Sequence, residues 1–173
     1  MTAIGERAPS FALPDTSGSS YELDGAPATV VVFTCNHCPY ALAWHDRIIE
    51  VAKDYTRRGV RVLAINPNDA ERYPRDSLEQ MRSRVERGEF EGVHYLRDES
   101  QQVARAYDAK TTPDVFVLDA DGILRYRGAP DADHDDRTQN ATWLRGALDA
   151  VLDGRAPDPA ETAPVGCSIK WRA

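Results

Sequence analysis

Hydrophobic positions along the chain switch several times between helical and extended spacing, and each switch marks an element. Val30-Val31-Val32-Phe33 is an unbroken apolar run rich in β-branched residues, which predicts a short strand buried on both faces. Beyond Pro39, Trp44, Ile48, Val51 and Tyr55 recur at helical spacing, and Arg57-Arg58-Gly59 supplies a cationic last turn with a glycine stop. Val60 to Ile65 reads as a second buried strand. A strand-helix-strand crossover of this kind implies parallel neighbours.

Further along, Ser77 with Gln80 fits a capping box for a helix running to about Gly88. Val93 to Leu96 predicts a short strand and Glu99 to Tyr107 a helix. Val115-Phe116-Val117-Leu118 and Ile123-Leu124-Arg125-Tyr126 flank Asp119-Ala120-Asp121-Gly122 as a hairpin. Trp143, Leu144, Ala147, Leu148 and Val151 predict a last helix stopped at Gly154. The order, β-α-β-α-β-α-β-β-α, is that of one α/β domain over residues 1–154. A hairpin from Phe11 to Leu23, turning at Ser17-Gly18, precedes it. Residues 155–173, with Pro157, Pro159 and Pro164, read as an extended tail packed on the same domain.

Composition narrows the function more than the fold. The chain has 173 residues, 42% hydrophobic and 28% charged, enough to bury a core without covalent staples. A net charge of −7 opposes general affinity for nucleic acid or anionic membranes. The first residues lack a basic, then apolar, leader, and nothing later spans a membrane by length, so a cytoplasmic protein is expected. An odd count of three cysteines in a reducing compartment is no disulfide framework; it points to reactive thiols.

The chemistry concentrates at Cys35-Asn36-His37-Cys38, between the first buried strand and the first long helix. A cysteine at a helix start meets unsatisfied N–H groups and the positive end of the helix dipole, which favour thiolate. On this reading Cys35 is the nucleophile with a depressed pKa, Cys38 resolves the mixed disulfide, and an imidazolium at His37 tunes the pair toward oxidising potentials. A CxxC is also half of a zinc site, but no second pair follows it. His45, His94 and His134 read as structural or surface residues, and Asp131 to Asp136 as a solvated acidic loop. Thr111-Thr112-Pro113 leads directly into a strand, where a cis peptide or an ordinary strand-start proline would both be coherent.

Cys35-Asn36-His37-Cys38, Thr112-Pro113-Asp114 and the strand from Phe116 to Asp119 resemble the thioredoxin superfamily over nearly the whole chain. The opening Gly5-Glu6-Arg7-Ala8-Pro9-Ser10-Phe11-Ala12-Leu13-Pro14-Asp15 is similar to its peroxiredoxin and alkyl hydroperoxide reductase branch. The tail Pro164-Val165-Gly166-Cys167-Ser168-Ile169-Lys170-Trp171 is similar to that of a peroxiredoxin-like subgroup. The resemblance implies a thioredoxin-like three-layer fold, a mixed sheet flanked by helices. It also implies a cis Pro113 beside the cysteines, with Thr112 and Pro113 docking an incoming substrate strand. Departures are specific. Thr34 replaces the tryptophan before the first cysteine of thioredoxin, and Thr29 its buried acid. Cys35, Val31 and Pro113 stand where a peroxiredoxin carries threonine, proline and arginine.

The expected activity is therefore thiol-disulfide exchange through Cys35 and Cys38, on protein or small-molecule thiols and disulfides, with an external dithiol reductant and no bound cofactor. A rival is a thiol peroxidase with Cys38 peroxidatic and Cys35 or Cys167 resolving. Another is a metal-binding or metallochaperone module using Cys35, Cys38 and a histidine. Cys167 is within reach of either cysteine. The thirteen residues from Arg155 to Cys167 span roughly 40 Å at about 3.1 Å each, against a radius of gyration of about 16 Å.

Overall fold

A computed structural model describes residues 2–173. The central run forms strand β3 (Ala28–Phe33), buried at every position, with helix α1 (Pro39–Tyr55) and strand β4 (Arg61–Asn66) after it. Alternate side chains of β3 enter opposite cores: Val30 and Val32 pack with Trp44, Ile48 and Val51 of α1, while Val31 and Phe33 pack with Phe11, Ala104 and Tyr107. Burying each such side chain contributes about 1.5–3 kcal/mol. A two-faced strand of this kind must be central, and here it is.

Helix α2 (Leu78–Glu86) follows, and Ser77 Oγ accepts from the Gln80 N–H at 3.2 Å as the cap pattern predicts. Next come strand β5 (His94–Arg97), helix α3 (Gln102–Ala106), strands β6 (Thr111–Thr112), β7 (Asp114–Asp119) and β8 (Leu124–Gly128), and helix α4 (Thr142–Leu152). The five-stranded sheet has the order β5-β4-β3-β7-β8, with β3, β4 and β5 parallel and β7 and β8 antiparallel to their neighbours. Helices α1 and α4 cover one face. Helix α3, the N-terminal segment and Ile169 of the tail cover the other. This is the three-layer, thioredoxin-like α/β fold.

Three segments differ from the sequence reading. Helix α3 begins at Gln102 and not at Glu99, because Gln101 is left-handed at φ 65° and ends the preceding turn. The N-terminal hairpin, β1 (Ala12–Pro14) with β2 (Ser20–Glu22), is a two-stranded sheet of its own, touching the main one through an Asp15–Leu96 bridge. The tail carries a two-residue strand, β9 (Cys167–Ser168), paired antiparallel with β6 so that Thr112 faces Cys167.

That tail is held along its length. Ile169 is buried, the Lys170 N–H donates to Asn68 Oδ1 at 2.9 Å, and the Lys170 carbonyl accepts from Asp69 N–H and from Gln101 Nε2. Gln101 Oε1 accepts from the Arg172 N–H at 3.0 Å, and the Arg105 guanidinium lies 4.3 Å from the centre of the Trp171 ring. At Gly166 a Cβ would run into the Thr112 carbonyl, so only glycine lets the tail come this close.

Candidate active site

Strand β3 ends at Phe33 and α1 begins at Pro39, so the cysteine loop sits at a strand-to-helix junction with Cys38 as the residue capping the helix. Pro39 at the first helical position needs no N–H partner, which suits it to this start. The Thr112–Pro113 peptide is cis. Thr112, fully buried, faces the loop and touches both sulfurs: its hydroxyl lies 3.3 Å from Cys35 Sγ, and its carbonyl accepts from Cys38 Sγ at 3.1 Å.

Cys35 and Cys38 are 1% and 0% exposed. Cys35 Sγ also accepts from the Cys38 N–H at 3.3 Å. The two thiols are in hydrogen-bonding contact, so they share the ionisation unequally. Cys35 is pushed up, first by its bond to Cys38, then by burial and by the Asp76 carboxylate. Cys38 is pulled down, first by the Cys35 thiol and then by the Cys167 thiol and the Ala41 N–H, although burial opposes this. The Thr112 carbonyl accepts from Cys38 Sγ and so works against ionisation there, whereas the Cys38 contact, burial and the nearby Asp76 all work against ionisation of Cys35. These contacts disfavour the depressed pKa expected of Cys35 and favour one at Cys38, which stands nearer the helix terminus. Cys167 is pushed up, by burial and then by Cys38.

His37 is turned toward Asp76. Its Nδ1 lies 2.6 Å from Asp76 Oδ2, out of line for a hydrogen bond, and its ring stacks on Tyr73 at 5.6 Å. The His37 ring is thus set against the Asp76 carboxylate. Cys35, His37 and Asp76 each offer a donor atom within 4.8 Å of the others, a mixed sulfur, nitrogen and oxygen set of the kind Zn²⁺ accepts. The histidine of this cluster is the one inside the motif. His45 bonds the Glu89 carbonyl, while His94 stacks on Tyr21 and His134 packs on Tyr40.

Asp76 is the functional residue that sequence reasoning missed. It lies on a single 3-10 turn, Pro74–Asp76, and is fully buried. It accepts from the Asn36 N–H at 2.6 Å, from Asn66 Nδ2 at 3.2 Å and from Asn68 Nδ2 at 3.0 Å, pinning the cysteine loop to the end of β4. Asn36 is held from the other side by Tyr95 Oη at 2.6 Å and Arg84 Nη1 at 2.9 Å. No local signal in Pro74-Arg75-Asp76 marks this aspartate, because only the folded sheet buries it. The acidic loop is also corrected at its first residue. Asp131 is 1% exposed and accepts from Trp44 Nε1, Arg47 Nη1 and the Ala141 N–H.

Cys167 does come to the cysteine pair, packing against Cys35, Cys38 and Ala41. It pairs through β9 with Thr112, so the backbone edge expected to dock an incoming strand is already occupied by the chain's own tail. The described residues include no helix long and apolar enough to cross a membrane.

A mixed sheet flanked by helices, with a buried dithiol at a strand-to-helix junction opposite a cis proline, defines a protein of the thioredoxin superfamily. Comparison with known sequences narrows this. The AhpC/TSA family matches residues 4–127, and the chain belongs to that family.

An uncharacterized conserved protein from Geobacillus kaustophilus has a crystal structure similar over 99% of this chain and 94% of its own, at 40% identity and a TM-score of 0.91. The crystal structure of a hypothetical protein from Sinorhizobium meliloti 1021 is similar over 100% of this chain and 97% of its own, at 36% identity and a TM-score of 0.91. Among curated proteins, methylamine utilization protein MauD of Paracoccus denitrificans is 29% identical over 72% of this chain, and this chain spans 58% of its length.

Proposed function

We propose that this protein is a thiol-disulfide oxidoreductase in which Cys35 and Cys38 cycle between dithiol and disulfide. The carrying observation is the pair itself: two thiols in hydrogen-bonding contact across Thr112, with Cys38 favoured as the anion at the start of α1. The coarse activity agrees with a relative named thiol-disulfide oxidoreductase ResA from Geobacillus kaustophilus, 25% identical over 71% of this chain and 67% of its own length. Electrons come from an external dithiol in a reducing, cytoplasmic setting, and thiol or disulfide compounds or proteins are the substrates.

Equilibration against glutathione buffers tests this, with the Cys35–Cys38 disulfide quantified by peptide mass spectrometry. A two-electron transition confined to these two residues is expected. Failure of that disulfide to form at any glutathione ratio overturns the reading.

A second reading is favoured by one observation. The downward pull on the Cys38 thiol, first by Cys35 and then by Cys167, falls at the position that carries the reacting sulfur in a peroxidase of this family and suits a thiol peroxidase. Peroxide consumption with dithiothreitol as donor, abolished by Cys38→Ser and retained by Cys35→Ser, supports it; no consumption above the uncatalysed rate rejects it.

A further inference from the structure

The two cysteines of the motif are shut away from solvent, and the tail closes the remaining approach. Cys35 and Cys38 are 1% and 0% exposed, while Cys167 keeps partial access. Thiol-disulfide exchange proceeds by attack of one sulfur on another, so the attacked sulfur must be reachable. Thr112 gathers all three: its hydroxyl meets Cys35, its carbonyl meets Cys38, and its backbone pairs with Cys167 in the β6–β9 ladder. Cys167 and Cys38 are in side-chain contact. The tail is fixed on both sides of this point, by Gly166 against the Thr112 carbonyl and by Ile169 and Lys170 beyond it. Cys167 is thus a built part of the site's outer wall.

We propose that Cys167 is the sulfur through which the site meets its external dithiol or disulfide partner, and that Cys38–Cys167 is the disulfide exchanged there. This rests on the thiol-disulfide exchange reading and adds the route. Cys38 belongs to two alternative disulfides, an inner one with Cys35 and an outer one with Cys167, and attack by the third thiol on Cys38 interconverts them without net electron transfer.

The outer step balances as follows. A thiolate of an external dithiol attacks Cys167 Sγ, a bond forms between them, and the Cys38–Cys167 bond breaks with its electron pair going to Cys38. Cys38 leaves as thiolate at the N-terminal cap of α1, where the unpaired N–H groups of the helix start favour an anion; a stabilised thiolate is the faster leaving group. The partner's second thiol then attacks its own sulfur in the mixed disulfide and releases Cys167, which takes a proton. The external dithiol loses two electrons and becomes a disulfide. The protein gains them as one thiolate and one thiol, and the second proton goes to water. Run backward, the same steps reduce an external disulfide.

The test uses the full chain with glutathione as the probe. Reduced Cys38→Ser protein is treated with oxidised glutathione and mapped by peptide mass spectrometry. Glutathione on Cys167, with Cys35 unmodified, is expected. Cys35→Ser protein, mildly oxidised, is expected to hold a Cys38–Cys167 disulfide that reduced glutathione opens with the adduct on Cys167. Cys167→Ser and Cys167→Ala are expected to slow wild-type exchange with oxidised glutathione by about tenfold or more while still forming Cys35–Cys38. Glutathione on Cys35 in the Cys38→Ser protein, or on Cys38 in the Cys35→Ser protein, overturns the proposal while leaving Cys35–Cys38 exchange standing. A wild-type chain that forms no Cys35–Cys38 disulfide overturns both.

Discussion

Asp114 provides the sharpest test of how the cysteine-facing loop is held. It follows the cis proline and opens β7, fully buried. Oδ2 accepts from the Lys110 N–H at 2.9 Å, and Oδ1 has no partner. Burial pushes the acid up to about 6, against the Lys110 and Thr111 amides and the Arg127 guanidinium, with Asp108 adding a like charge. The folded state therefore holds the proton more tightly than the unfolded chain, whose carboxyl titrates near about 3.9. The sign follows: stability falls as pH rises between those two values, and the loss is complete above the folded value.

The gap between about 6 and about 3.9 corresponds to about 3 kcal/mol at most. Asp114→Asn abolishes this titration and still offers an oxygen to Lys110. Its unpaired amide adds a cost of about 1–3 kcal/mol that does not change with pH. The stability of the variant relative to wild type should therefore climb by about 2–3 kcal/mol between about pH 4 and about pH 8. Urea unfolding of both proteins across that range measures it, and the difference cancels every other titrating group. A flat difference, or one that falls with pH, refutes the reasoning.

Gly166→Ala should push the tail off Thr112. We expect a destabilisation of about 1–3 kcal/mol by urea unfolding, together with faster proteolytic removal of the segment carrying Cys167; unchanged stability and unchanged proteolysis would show that the close approach is dispensable. Asp131→Ala leaves the Arg47 guanidinium and the Trp44 indole N–H without their shared acceptor and should cost about 3–5 kcal/mol, read from the same unfolding curves. A cost near that of an exposed substitution would mean that water replaces the carboxylate.

The parts of the fold that were legible in the sequence are those where burial imposes a period. Val30 to Phe33 showed as a continuous apolar run because both faces of β3 enter a core, and Trp44, Ile48, Val51 and Tyr55 showed because one face of α1 does. The start of α3 was misplaced because a left-handed Gln101 carries no mark in the sequence, where glycine would. Strands β6 and β9 are two residues each, too short for any period, and exist only because the tail returns to Thr112. Gln101 is the clearest case of tertiary demand: an ordinary polar residue, 2% exposed, whose amide ties Pro67 to Lys170 and Arg172.

The site divides along the same line. Cys35 and Cys38 were visible because their spacing is one helical turn, a local relation that the chain writes directly. Asp76 was not, because its neighbours Asn36, Asn66 and Asn68 come from a loop and a strand end that only the folded sheet assembles. That difference changes the chemistry. From the motif alone the first cysteine should be the anion, since a helix start and a histidine both favour it. The folded site sets a buried carboxylate beside Cys35 and engages His37 with it, while the helix amide and the Cys167 thiol turn to Cys38. Contacts that the fold assembles, first the one between the two thiols and then burial and Asp76, thus favour the opposite order to the one local spacing implies.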